Sequence, residues 1–174
     1  MIKGGKGGSL TKSRLRFESR IDLKTLFSRI DGYRINGNDL IFNDKLVAQL
    51  YKKHEFYKYF LSKFKVDWKT KISKKLIPDD SIFVISRKTM FIVEIKFQEV
   101  EESVDEKLQT CDFKKKQYTK LLEGTGVSIE YVYVINEWFN DPTYRDALNY
   151  IKSVDCHYFF NELPLEFLGL PEPR

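Results

Sequence analysis

At 174 residues, 42% of them apolar, the chain has material for one α/β-sized domain with a real core, and a single domain over 1–174 is expected. Thirty Lys and Arg against 25 Asp and Glu leave a net charge of +5; no apolar run is long enough to span a bilayer and the start MIKGGKGGSL has no apolar signal core, so a cytoplasmic protein is expected. Cys111 and Cys156 are too few for a disulfide framework or a thiolate zinc site and read as core thiols.

Residues 1–11, rich in glycine, read as a flexible arm. From Lys12 to Ile30, Leu15, Leu23, Leu26, Phe27 and Ile30 fall on one helical face with Glu18 and Asp22 at its margin, which predicts an amphipathic helix. Tyr33 to Phe42 reads as a hairpin around Asn36-Gly37, and Asp44 as the cap of a second helix carrying Val47, Leu50, Tyr51, Tyr57, Leu61 and Phe64. Strands are predicted near Ile72 to Ile77, Ile82 to Ser86 and Met90 to Phe97, the last two joined by a tight turn at Arg87-Lys88. A helix from Val104 to Leu122 follows, ended by Gly124-Thr125-Gly126. A strand Ile129 to Ile135, a helix capped by Asp141 and started by Pro142, and a short strand His157 to Phe160 complete the order.

The charge is unevenly distributed. Residues 1–75 hold 19 Lys and Arg against 7 acids, and residues 76–174 hold 11 against 18. A basic half of this kind suits either a polyanion or plain solvent.

The stretch FIVEIKF, residues 91–97, poses the chemical question. Strand alternation puts Met90, Ile92, Glu94 and Lys96 on one face and Phe91, Val93, Ile95 and Phe97 on the other. Burying a carboxylate and an ammonium on a core strand is costly unless they pair or hold something charged between them. One reading is a salt bridge at the strand end; the other is a metal held by Glu94 with Lys96 beside it. Upstream, Pro78-Asp79-Asp80 ends a strand 15 residues before Glu94, which suits a meander bringing Asp79 alongside. Two carboxylates so placed ask for a cation between them, and oxygen ligands with open positions suit Mg²⁺.

Pro78-Asp79 followed by Glu94-Ile95-Lys96 resembles the PD-(D/E)xK nuclease signature. The Gly4–Gly8 run through Phe17-Glu18 and the stretch EIKFQEVEESVDEKLQTCDFKKK, residues 94–116, are similar to small type II restriction endonucleases, with Arg14 standing where a Gly is expected. The resemblance implies an α/β restriction-endonuclease-like core, a central mixed sheet flanked by helices. It implies Asp79, Glu94 and the Ile95 carbonyl as ligands of Mg²⁺, with Mn²⁺ able to substitute and Ca²⁺ supporting binding without efficient cleavage. It makes Lys96 the group that orients or deprotonates water, places Glu18 facing the site from the first helix, and brings Gln98 toward the scissile phosphate. The implied reaction is hydrolysis of phosphodiester bonds in double-stranded DNA by a homodimer, with a cognate DNA methyltransferase as functional partner. A structure-selective nuclease, such as a Holliday junction resolvase or repair nuclease, and a silent DNA-binding module of the same fold are the alternatives.

His54 and His157 have no metal-ligand spacing. The glycine-rich start lacks a Walker lysine-hydroxyl pair, leaving Lys6 and Lys12 as candidate DNA contacts on an arm. Lys114 and Lys115, in the run Lys114-Lys115-Lys116, read either as phosphate contacts or as a solvated face. Asn136 and Asn140, with Glu137 and Trp138, offer base-edge donors and acceptors on the loop after the strand ending at Ile135. The acids from Glu99 to Glu106 suit solvent or a partner protein better than DNA.

Overall fold

The computed structural model describes residues 13–18, 21–99 and 104–173. The glycine-rich arm, with Lys6 and Lys12, lies outside the described residues, as do Glu101 and Glu102 of the acidic stretch.

The architecture is α/β: a seven-stranded mixed sheet with helices on both faces. Its order is β2 (Tyr33–Asn36), β3 (Asp39–Phe42), β4 (Lys45–Leu50), β5 (Asp80–Val84), β6 (Thr89–Lys96), β7 (Ser128–Ile135) and β8 (His157–Phe160). Neighbours run antiparallel from β2 to β6, while β6, β7 and β8 are parallel. The two parallel steps need crossovers, supplied first by α2 (Val104–Leu108) and α3 (Cys111–Leu122), then by α4 (Arg145–Ser153). A separate ribbon pairs β1 (Arg14–Arg16) with β9 (Glu162–Pro164).

Strand β6 is buried from Thr89 to Ile95, as its β-branched and aromatic run requires of a strand covered on both sides. Met90 and Ile92 join Tyr118, Tyr131 and Tyr133 in one core; Phe91, Val93 and Ile95 join Leu23, Phe27 and Val132 in the other. Cys111 and Cys156 are free and buried in the first core. Among the described residues no helix is long and apolar enough to cross a membrane.

Four expectations need correcting. The helix from Lys12 to Ile30 is only α1 (Leu23–Phe27), opened by Asp22, whose side chain accepts from the Thr25 N–H at 2.9 Å. Leu15 and Phe17 are buried at a spacing of two, a strand period, and Arg14 and Arg16 point outward to Glu162. Asp44 caps no helix; it sits in the β3–β4 turn at φ +62°, and the positions assigned to the front of that helix form β4. Helix begins later, with a π-helical segment Phe56–Leu61. Residues 72–77 form no strand, because Leu76 is satisfied by side chains instead of a ladder. Tyr57 Oη accepts from the Leu76 N–H at 3.1 Å, and the Leu76 carbonyl accepts from both Tyr57 and Tyr118. The helix predicted over 104–122 breaks between Leu108 and Cys111. Asp141 caps a 3₁₀ turn at Pro142–Tyr144 that runs into α4.

Candidate active site

Pro78 has no N–H to give a ladder, and the chain enters β5 only at Asp80, which pairs with Val93. That register sets Asp79 beside Glu94 at the end of β6. Asp79 Oδ2 accepts from the Ile95 N–H at 3.1 Å. Lys96 Nζ lies 3.0 Å from Glu94 Oε2 and 3.9 Å from Asp79 Oδ2, so one ammonium bridges two carboxylates across neighbouring strands. The proximity of Asp79, Glu94 and Lys96 expected from strand alternation is present.

Glu94 and Asp79 differ in environment. Glu94 is only 4% exposed, and the Asp79 side chain is 45% exposed, so the pair opens toward solvent on the Asp79 side. Burial alone would raise the pKa of Glu94, but the charges of Lys96 and Lys114 outweigh it and hold the carboxyl below its ordinary value. Lys114 reaches Glu94 from α3 at 3.0 and 3.1 Å to the two oxygens. Tyr131 of β7 is buried beside the same carboxylate; burial first, then the Glu94 charge, pushes its hydroxyl pKa well up, keeping it protonated.

The neighbouring Asp80 points to the opposite face of the sheet. It is 2% exposed and accepts from the Leu23 N–H at 2.7 Å and from its neighbour Ser81 N–H at 3.2 Å. Burial, reinforced by the nearby Asp22, pushes its pKa up to about 7. A cavity of about 170 Å³ opens here, lined by Asp22, Lys52, Lys53, Asp79, Asp80 and Ile95 among others.

Glu18 is exposed just after β1, not on the first helix, so the placement that had it face the site from α1 is corrected. Gln98 is 5% exposed, and Asn136 brackets its backbone, donating to its carbonyl at 2.7 Å and accepting from its N–H at 3.2 Å. Asn136 is therefore engaged within the fold and not held out for base edges, whereas Asn140 is exposed. Lys114 is bound to Glu94, and Lys115 pairs with Asp155 at 3.1 Å and Glu130 at 3.7 Å, so neither is a free phosphate contact. His54 is exposed, and His157 contacts Glu130 at 3.0 Å.

Lys114 and Tyr131 are the site residues that sequence reasoning did not assign to Glu94. Lys114 was visible as a lysine 20 residues on, but only the turn of α3 back over β6 selects it from the three in its run.

Among the described residues no cluster of three or more His, Cys, Asp or Glu is arranged to hold a metal ion. The donor set is two carboxylates, one buried and one half open to solvent, with Lys96 Nζ 3.0 Å from Glu94 Oε2 and 3.9 Å from Asp79 Oδ2. That set suits Mg²⁺, which keeps several waters and is bound through one or two carboxylates plus substrate phosphates, better than an ion needing an all-protein cage. Compared with protein-family models, curated proteins and solved structures, the chain has no match.

Proposed function

We propose that the chain is a Mg²⁺-dependent deoxyribonuclease of the PD-(D/E)xK type, cutting double-stranded DNA as a type II restriction endonuclease does. The observation that carries the reading is Lys96 set between Asp79 and Glu94 at the ends of two neighbouring strands, beside a solvent-open carboxylate. Mg²⁺, held by Asp79, Glu94 and the Ile95 carbonyl, would lower the pKa of a bound water and neutralise charge developing on the phosphoryl group. The chain's own groups do the rest. Lys114 and Lys96 keep Glu94 ionised despite its burial, so the ligand is ready without a proton to lose. Asp79, half exposed, is the carboxylate nearest an incoming phosphodiester. Lys96, on the Glu94 face, supplies a positive charge that orients the attacking water and stabilises the developing anion.

The test is incubation of supercoiled plasmid and linear phage DNA with the protein and Mg²⁺, beside Asp79→Ala and Glu94→Ala. Discrete fragments from the parent, and loss of cleavage by about 10²-fold or more in each variant, are expected, as when a ligand of a catalytic metal is removed. Unchanged cleavage in both variants refutes the site. Preferential cutting of four-way junctions would replace the restriction reading with the resolvase alternative.

A further inference from the structure

Between the two strands that carry Asp80 and Leu50 lies a segment with nine lysines and two acids over residues 52–75, a net charge of +7, greater than that of the whole chain. Its acids are used internally. Glu55 accepts from the Lys52 N–H at 2.9 Å and pairs with Lys24 at 3.4 Å, while Asp67 accepts from the Lys69 N–H at 3.1 Å. Lys53, Lys58, Lys65, Lys69, Lys71 and Lys74 are exposed and carry no ion pair among the described residues. Lys114, Lys115 and Lys116, by contrast, all have acidic partners.

The segment is a firm platform. Phe56 and Phe60 are buried in the core, the Tyr57 hydroxyl is joined to Leu76 by two hydrogen bonds, and Lys75 lies 5.0 Å over the rings of both Tyr57 and Trp68. Its start borders the candidate site. Lys52 and Lys53 share a cavity with Asp79 and Ile95, and Lys75 stands four residues before Asp79. Uncompensated ammonium groups carried on one packed segment would recover free energy by releasing counterions from a phosphate backbone.

We propose that residues 52–75 are the surface on which the backbone of duplex DNA docks, delivering a phosphodiester to Asp79, Glu94 and Lys96. This rests on the nuclease reading for the substrate's identity, but the docking surface has its own readout. A lysine-rich face with aromatics could also meet an anionic membrane; the cavity that its first two lysines share with Asp79 favours the nucleic acid.

The experiment measures equilibrium binding of a fluorescent duplex oligonucleotide in EDTA, where cleavage is silent, across a potassium chloride series. Three proteins are compared: the parent, a fourfold variant (Lys58→Gln, Lys65→Gln, Lys69→Gln, Lys71→Gln), and a control with the same charge change elsewhere (Lys45→Gln, Lys88→Gln, Lys120→Gln, Lys152→Gln). Urea unfolding verifies that each is folded. The first variant should bind at least tenfold more weakly at low salt, with the slope of log K against log salt shallower by about 0.9 for each phosphate that is no longer neutralised. The control should stay within about threefold of the parent, as expected of lysines that meet no phosphate. Equal weakening in both variants, an unchanged fourfold variant, or a parent that binds phosphatidylserine vesicles but not duplex overturns the proposal. Loss of binding in the fourfold variant, with cleavage persisting in Asp79→Ala, would retain the docking surface and remove the catalytic site.

Discussion

Replacing Asp80 by Asn tests whether two adjacent acids have been assigned to different jobs. Asp80 is 2% exposed and has its pKa pushed from 3.8 up to about 7, chiefly by burial. Because the folded pKa lies above the unfolded one, the folded protein holds the proton longer, and stability is lost as pH rises from about 4 through about 7. A rise of about three units at 1.36 kcal/mol each gives a loss of roughly 4 kcal/mol by pH 8, an order-of-magnitude figure. Asparagine carries no proton to lose, so its profile should lack that fall. It keeps one oxygen for the Leu23 N–H but faces the Ser81 N–H with an amide or leaves it, which costs about 1–3 kcal/mol at every pH. Asp80→Asn should therefore be no more stable than the parent near pH 4.5 and more stable near pH 8, by about 1–3 kcal/mol. Urea unfolding of both proteins across this range, in EDTA, reads the crossover directly. Parallel profiles would refute the reasoning, since they would mean that Asp80 titrates alike in the folded and unfolded chains.

Lys114→Met should remove one of the two cations that hold Glu94 ionised, at a cost of about 1–3 kcal/mol in urea unfolding near neutral pH. Glu94's depressed pKa gives stability that is present above its unfolded value and lost as pH falls through the folded one; in the variant that acid loss should begin at higher pH than in the parent, and an identical acid limb would sink the coupling. Tyr57→Phe removes the hydroxyl that both donates to and accepts from Leu76, and should cost about 1–2 kcal/mol. Amide hydrogen exchange at Leu76 should quicken in that variant before any change at β6, and unaltered exchange there would show that the hydroxyl does not hold the segment.

The parts of the fold that sequence reasoning read well are those whose local pattern and tertiary role agree. The run from Met90 to Phe97, apolar on both faces as far as Val93, forms β6 up to Lys96; Ile129 to Ile135 and His157 to Phe160 lie within β7 and β8, and the Tyr33 to Phe42 hairpin forms as β2 and β3. Two of the misreadings, the helices read from Lys12 and from Asp44, share a cause: apolar residues spaced for a helix by coincidence. Leu15 and Leu23 fit one helical face, yet Leu15 is buried by the β1–β9 ribbon, whose partner strand lies 148 residues away between Arg14 and Glu162. Leu50 and Tyr51 were read on another helical face, but Leu50 closes β4 opposite Ile82 and the Tyr51 N–H donates to the Ser81 carbonyl. Pairings at such distances leave no trace in a local window.

The candidate site divides in the same way. The nearness of Asp79, Glu94 and Lys96 was legible from a strand period of two and a short meander, although the strand expected to end at Asp79 does not form and Asp79 instead stands just before β5, opposite the end of β6. The same period sends Asp80 to the other face, so that of two neighbouring acids one meets solvent beside Lys96 and the other is sealed against α1. What Asp80 does there could not be read, since its partner N–H belongs to Leu23, at a helix start that the periodicity had placed eleven residues earlier, at Lys12. Lys114 shows the converse: its charge was plain in the sequence, and only the packing of α3 on β6 decides that it faces Glu94 and not a phosphate. An acidic partner, not residue type, therefore separates the lysines that hold the site together from those free to meet a ligand, and six of the free ones lie in residues 52–75, a segment whose start shares a cavity with Asp79.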